Sequence, residues 1–273
     1  MPMETDEGQP KGNESLLAFF GNRLIKMRTE RGWSQETTAA KALTNNAMIS
    51  YIENAKRVPS FELAQDLDRA LGTDFFAEFH PLVIKYAYPK WFLPFIELER
   101  DATSHRVFES QIIPGLLQTE DYARGMLSAV RPDNLEDLVA ARMSRQAVFE
   151  RETPPRTWFV FDEQVLRRPI GGTDAWRAQL EHLLKAGTTP RTVIQVVPSR
   201  VVSHPGLAGP FTVLSFAEGP DVLYVDGFSQ GRMALDASEV ADGCHAYDLL
   251  RASALSHEES ADLIGSYLEG RTA

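Results

Sequence analysis

Residues 34–57 read SQETTAAKALTNNAMISYIENAKR, the pattern of two short helices joined by a tight turn. The first is expected over about Ser34–Ala42 and the second from Asn45 or Asn46 to about Asn54. Ser34 suits the start of the first, because its hydroxyl can accept a backbone N–H that the first turn leaves unpaired. Ala39 lies mid-helix, where a small side chain lets another helix cross closely. Ile49 and Ile52 are three residues apart, share a face and point inward. That leaves Asn46, Ala47, Met48, Ser50, Tyr51 and Asn54 on or near the outer face. The turn position that favours positive φ falls on Leu43. A leucine there is strained, so Asn45 or Asn46 is expected to take the left-handed conformation instead. Such a pair is either an ordinary helical hairpin with a solvated face or a DNA reader. In a reader, the N-terminal residues of the second helix reach base edges in the major groove. Successive amides at Asn45 and Asn46 favour the second reading, since an amide pairs bidentately with adenine.

Several positions here match together. Gln35-Glu36, Ala39, Ile49-Ser50 and Ile52-Glu53-Asn54, followed by Lys56-Arg57 and Pro59-Ser60, resemble the lambda-repressor-like (XRE/Cro-type) helix-turn-helix. The resemblance implies that Gln35 touches a phosphate and that Asn46 and Ala47 open the reading helix. The expected DNA contacts are Gln35, Asn45, Asn46, Ala47, Met48, Ser50, Tyr51, Asn54, Lys56 and Arg57. The last two are assigned to the phosphate backbone.

A chain of 273 residues, 43% hydrophobic, has the length of two domains. Its net charge is −10, yet residues 20–72 hold eight Lys/Arg against six Asp/Glu. That stretch is therefore at +2 and the rest at −12, which fits a mildly basic DNA module on an acidic body. The single Cys244 excludes an intramolecular disulfide and a cysteine zinc cluster. No apolar run approaches the roughly 18 residues of a membrane span. Residues 1–14 are acidic and polar and read as a disordered tail, not a signal peptide. The expected location is the cytoplasm, at the nucleoid.

Along the chain, residues 15–80 form the DNA-binding unit. Its first helix, Ser15–Glu30, turns Phe20, Leu24 and Met27 inward and Arg23, Lys26 and Arg28 outward. A later helix runs from Phe61 to Leu71 and is capped by Ser60. Residues 74–90, rich in Phe and Tyr, suggest a helix that docks the domains or a partner subunit, with 81–90 as a docking linker. Residues 91–273 alternate helix and strand signals. Strands are expected at 105–110, 157–162, 191–197, 211–216, 222–226 and 232–235, and a long helix from Asp133 to about Arg151. The final two helices carry capping boxes at Asp236/Glu239 and Ser256/Glu259. The fold class is α+β: about five N-terminal helices, then a small, mostly antiparallel sheet with flanking helices.

This half carries a second resemblance. Phe95-Ile96-Glu97-Leu98-Glu99, Phe108-Glu109, the run from Ile113 to Ala123 (IPGLLQTEDYA), Ala141-Arg142-Met143, Arg145-Gln146, Leu166-Arg167-Arg168-Pro169 and His204-Pro205-Gly206 are similar to the C-terminal domain of actinobacterial WhiJ-like regulators, a domain of unknown function. That likeness implies a transcriptional regulator, often encoded beside a small acidic partner protein in an antitoxin-like arrangement.

Chemistry is sparse. There is no phosphate-binding glycine loop, and the six histidines show no ligand spacing, so neither metal nor cofactor is expected. Cys244-His245 are adjacent and point about 100° apart on a helix. Two loops are open to a ligand reading. The loop 203–210 either closes over a ligand through His204 or is a plain connection. Ile113, Leu117 and Gln118 beside Glu109 either form a partner groove or pack on the core. Arg142, Arg145 and Arg167 either hold an anion or pair with nearby acids. The function read here is a DNA-binding regulator, a homodimer on a palindrome, whose second domain senses a small molecule or a small partner protein. The alternatives are an antitoxin-like interaction protein that regulates itself, and an enzyme targeted to DNA with carboxylates near Glu109 or Glu163.

Overall fold

The computed structural model describes residues 15–88, 90–228 and 230–270; the predicted N-terminal tail lies outside them. In chain order the helices are α1 (Leu16–Glu30), α2 (Gln35–Lys41), α3 (Asn46–Glu53), α4 (Phe61–Leu71), α5 (Phe75–Ala87), α6 (Leu93–Asp101), α7 (Glu120–Leu127), α8 (Leu135–Ser144), α9 (Thr173–Gly187), α10 (Ala237–Ser253) and α11 (His257–Leu268). The strands are β1 (Ser104–Glu109), β2 (Arg156–Asp162), β3 (Thr192–Val197), β4 (Phe211–Ser215), β5 (Val222–Val225) and β6 (Arg232–Ala234). They fall into two compact units. One takes the described residues up to 88 together with Arg131–Ser144, and the other takes the remainder. Where the sequence places a docking linker over 81–90, α5 continues to Ala87.

In the first unit Ser15, Ser34 and Ser60 each cap the helix that follows, accepting the N–H of Ala18, Thr37 and Leu63. α1 buries Leu17, Phe20, Leu24 and Met27 on one stripe. It also approaches α3 backbone to backbone, since a Cβ on Gly21 would overlap the carbonyl oxygen of Ile52. Asp68 turns inward from α4 and accepts the N–H groups of Phe76 (2.9 Å) and Ala77 (2.7 Å), so it caps α5 from a neighbouring helix. The aromatic residues that suggested a docking surface mostly serve this unit's own core. Phe76 is fully buried and lies 5.0 Å from Phe20, centroid to centroid.

The long helix expected from Asp133 breaks at Ser144. α8 buries Val139, Ala140, Ala141 and Met143 in the first unit, and residues 145–150 continue as 3-10 turns. Its carbonyl at Ala141 accepts the Tyr88 hydroxyl at 2.7 Å, and Ser144 Oγ accepts the Val58 N–H at 2.7 Å.

Four helices of this unit end in the same way. A residue at the cap (α4) or just after it (α1, α2, α3) adopts positive φ, and the following N–H bonds back five residues. Gly32 (φ 68°) and Gly72 (φ 59°) serve α1 and α4. Leu43 (φ 52°) serves α2, with Thr44 N–H to Ala39 O at 2.9 Å, and Ala55 (φ 54°) serves α3, with Lys56 N–H to Tyr51 O at 2.8 Å. The expectation that an asparagine would relieve Leu43 is therefore overturned. Asn45 is extended (φ −106°) because it caps α3, and Leu43 takes the left-handed conformation itself.

The second unit is built on a six-stranded mixed sheet of order β3-β2-β1-β4-β5-β6. β1 pairs with β2, and β2 with β3, in parallel; the other three pairings are antiparallel. The parallel half follows from the connections, since helices separate β1 from β2 and β2 from β3, whereas short turns join β4, β5 and β6. Helices cover both faces. Phe159, Phe161, Ile194 and Val196 pack with Leu180 and Leu183 of α9 and Ile264 of α11, while Val160 and Val197 pack with Tyr247 and Leu250 of α10. Double coverage explains why β2 is apolar on both sides. Ser256 and Glu259 form the expected capping box, but Glu239 does not reach back to Asp236, because its carboxylate is drawn to Arg232.

Three outcomes follow from this architecture. Leu43→Gly and Ala55→Gly should each raise stability by about 0.5–1 kcal/mol. The left-handed conformation costs a side-chain-bearing residue ~1–2 kcal/mol, less what glycine returns to the unfolded chain; an unchanged or lower Tm for both would contradict this. Gly21→Ala should destabilise by ~1–3 kcal/mol, as overpacking does. The third concerns acid. His105 is fully buried, with Nε2 on the Glu99 carbonyl, and burial lowers its pKa, as it does for His182. The fold thus holds these rings neutral. Their contribution is intact above the unfolded value of about 6.5 and is lost as pH falls below it toward the lowered folded values. Thermal melts should show Tm falling between pH 7.5 and 5.5, and less steeply in His105→Gln; a flat profile would refute the assignment.

Candidate nucleic-acid interface

The geometry of the reading helix starts from Glu53, at its last position. Ile49 and Glu53 are four apart on the face that Ile52 also shares, and all three are buried. The Glu53 carboxylate accepts Nε and Nη2 of Arg28, the second at 2.9 Å, and Nε2 of Gln35 at 2.7 Å. Arg28 Nη1 also donates to the Trp33 carbonyl at 3.1 Å. One carboxylate therefore ties α1, α2 and α3 together. The Glu53 hydrogen bond raises the Arg28 pKa and outweighs the opposing effect of burial. Arg28 is not on the outer face where helical spacing placed it, and the Gln35 amide nitrogen is turned to Glu53.

Asn45 is the N-cap of α3, and its Oδ1 accepts the Met48 N–H at 2.8 Å. That bond turns the Asn45 amide oxygen to its own helix, so Asn45 serves as the cap. Asn54 is similarly engaged, with Nδ2 donating to the Ser50 carbonyl at 2.8 Å. Asn46, the first helical residue, is exposed, and its amide makes no hydrogen bond among the described residues. Ala47 beside it is exposed, and Met48 and Ser50 are half-buried. Tyr51 is 40% exposed, with the Arg57 guanidinium 5.0 Å from its ring centroid. Lys56 is exposed. Lys41, absent from the sequence-predicted set, is exposed at the end of α2 and places its ammonium 4.9 Å from the Trp33 ring centroid.

The residues singled out in the second half do not converge. Ile113 and Leu117 are core, and Gln118 is 1% exposed, with Nε2 on the Ile113 carbonyl at 2.7 Å. Of the two readings of this segment, the structure shows it packed on the core. Gln179 holds it there, accepting the Thr119 N–H and donating to the Leu117 carbonyl. Two of the three arginines pair with carboxylates. Arg142 lies on α8 in the first unit, whereas Arg145 grips Glu99 through two hydrogen bonds (2.6 and 2.8 Å) with both side chains nearly buried. Arg167 reaches Glu163 at 3.2 Å. Burial disfavours the Glu163 anion, but the bonds from Ser199, Tyr267 and Arg167 prevail and lower its pKa. His204 is buried with Nε2 3.1 Å from Asp162 Oδ2, and Glu109 ends β1 half-buried.

Residues 24–76 match the model of a helix-turn-helix family, and residues 92–266 match that of a domain of unknown function (DUF5753). No curated protein and no solved structure matches the chain. No helix among the described residues is long and apolar enough to cross a membrane. The N-terminal match is to an XRE-type module and supports a DNA-binding regulator. The C-terminal match covers more than half of the 273 residues, so the chain belongs to the DUF5753 family and carries a helix-turn-helix ahead of that domain.

Proposed function

We propose that this chain is a sequence-specific transcription regulator of the WhiJ-like kind. It acts as a homodimer on a palindromic site in the cytoplasm, at the nucleoid. The observation that carries the reading is the first turn of α3, where exposed Asn46 and Ala47 follow a cap and are held by the Glu53 lock. One helix-turn-helix makes few phosphate contacts, and a dimer on half-sites about 34 Å apart doubles them. Lys56 and Arg57, just past α3, supply phosphate contacts.

In this reading the DUF5753 domain is a receiver for a small molecule or a small partner protein and has no catalytic role. Support comes from α8. Residues 131–144 lie in sequence between two segments of the sheet-bearing unit, yet they pack in the DNA-binding unit. Ser144 there holds the N–H of Val58, directly after Lys56-Arg57. A signal that binds the receiver unequally in two states acts through chain that is covalently continuous with this contact.

Lys56→Ala should weaken binding to all sequences alike and reduce the slope of log K against log[salt] by about one, read by fluorescence anisotropy over a salt series. An unchanged slope would remove Lys56 from the backbone contacts. Ser144→Ala should leave the Val58 N–H without its partner, at about 1–3 kcal/mol, and weaken DNA binding although Ser144 touches no DNA. Equal stability and affinity in this variant would disconnect α8 from the reading helix.

A further inference from the structure

We infer that the base pairs read by α3 are A·T pairs, with an adenine opposite Asn46. The inference rests on the DNA-reading function proposed above and specifies its target. It comes from asking which base edge each side chain of NAMISYIE can still satisfy. Guanine is most often read by Arg or Lys donating to O6 and N7, and α3 contains neither. Cytosine offers an N4 donor that a carboxylate accepts, but the helix's only carboxylate, Glu53, is buried on Arg28 and Gln35. Arg57 lies beyond the C-terminal end of the helix, with its guanidinium over the Tyr51 ring. The base-reading end of such a helix is the other one.

The amides remain. Of Gln35, Asn45, Asn46 and Asn54, three have an amide atom engaged within the protein: Gln35 Nε2 on Glu53, Asn45 Oδ1 on Met48 N–H, and Asn54 Nδ2 on the Ser50 carbonyl. Asn46 alone presents both its oxygen and its nitrogen from an exposed position in the first turn. That pair matches the N6 donor and N7 acceptor of adenine. The Ala47 methyl and the half-buried Met48 give the adjoining surface an apolar character, which suits the C5-methyl of thymine. Ser50 hydrogen-bonds either kind of pair and does not discriminate.

The test is selection of the full chain against randomised duplex DNA, followed by anisotropy on the selected site. Each A·T pair is changed to G·C in turn, and each thymine to uracil. For the wild type, replacing one adenine per half-site with guanine should weaken binding about tenfold or more. The same replacement should change the affinity of Asn46→Ala by less than about twofold. Uracil at a neighbouring thymine should also weaken the wild type. Asn46→Arg, which needs no loss of binding to be informative, should move the preferred base from adenine to guanine. A selected site whose Asn46-dependent pair is G·C would overturn the A·T assignment while leaving the regulator intact. Selection that returns no preferred sequence would overturn both.

Discussion

Glu53 carries a negative charge into the packed side of the reading helix, where its side chain is 3% exposed. Left alone there, a carboxylate would be penalised by several kcal/mol. The penalty is met only because every approach to the group is a donor: two N–H groups of Arg28 and one of Gln35. Those donors come from α1 and from the first residue of α2, so satisfying one charge fixes three helices. It also sets the rotation of α3 about its own axis. With Ile49, Ile52 and Glu53 turned inward, Ala47 and Tyr51 face outward, and Asn46, three residues before Ile49, is exposed because it opens the helix. The acid that would repel phosphate from the reading surface is hidden and neutralised by the same contacts. A buried ion pair is weak evidence for stability as such; what it supplies here is a unique orientation.

The same accounting of donors and acceptors explains why an interface with several amides presents so little choice. Asparagine is favoured both as a helix cap and as an adenine reader, and the cap turns its amide oxygen to its own helix. Asn45 resolves the conflict in favour of the helix, which is what lets Asn46 stand in the first turn with its amide open. Charge works at a similarly short range. The body of the chain is acidic, but screening confines exposed charges to about 8–10 Å at cellular salt. The charge met at the helix pair is therefore set by Lys41, Lys56 and Arg57 close by more than by the net −10 of the chain.

What could be read from the sequence was local. Ser34, Ser60 and Ser256 all cap the helices they were expected to cap, because a cap is decided within four residues. The six strands were legible for the same reason. The parallel pairing of β1 on β2 was not, since its register joins residues about fifty apart. Arg28 was placed outside by helical periodicity because its partner is 25 residues away. The clue lay in Glu53 itself, four residues after Ile49 on a buried face. The IPGLLQ segment was ambiguous on its own, since turn residues with apolar neighbours describe a groove as well as a core. Gln179, some sixty residues on, decides it by bonding both Thr119 and Leu117. Leu43 was recognised as a turn position, but the strain is borne rather than avoided. The asparagines that might have relieved it were needed as the cap and first residue of α3.

The insertion of α8 changes what the two family matches mean together. The matched DUF5753 segment, residues 92–266, contains Arg131–Ser144. In space those residues belong with the helix-turn-helix. A cut between the two matches, near residue 90, would thus leave the N-terminal fragment without Ala141 to receive the Tyr88 hydroxyl and without Ser144 to receive the Val58 N–H. It would also uncover the surface that Val139, Ala140 and Met143 now bury. Sequence boundaries and folding units disagree here because a buried helix can be supplied from anywhere in the chain, provided its apolar face fits. For a regulator this arrangement has a consequence that a simple linker lacks. A linker leaves each domain complete within its own stretch of sequence. A helix borrowed from the DUF5753 segment and bonded beside Lys56-Arg57 makes the DNA-binding unit complete only when that later stretch of chain is present.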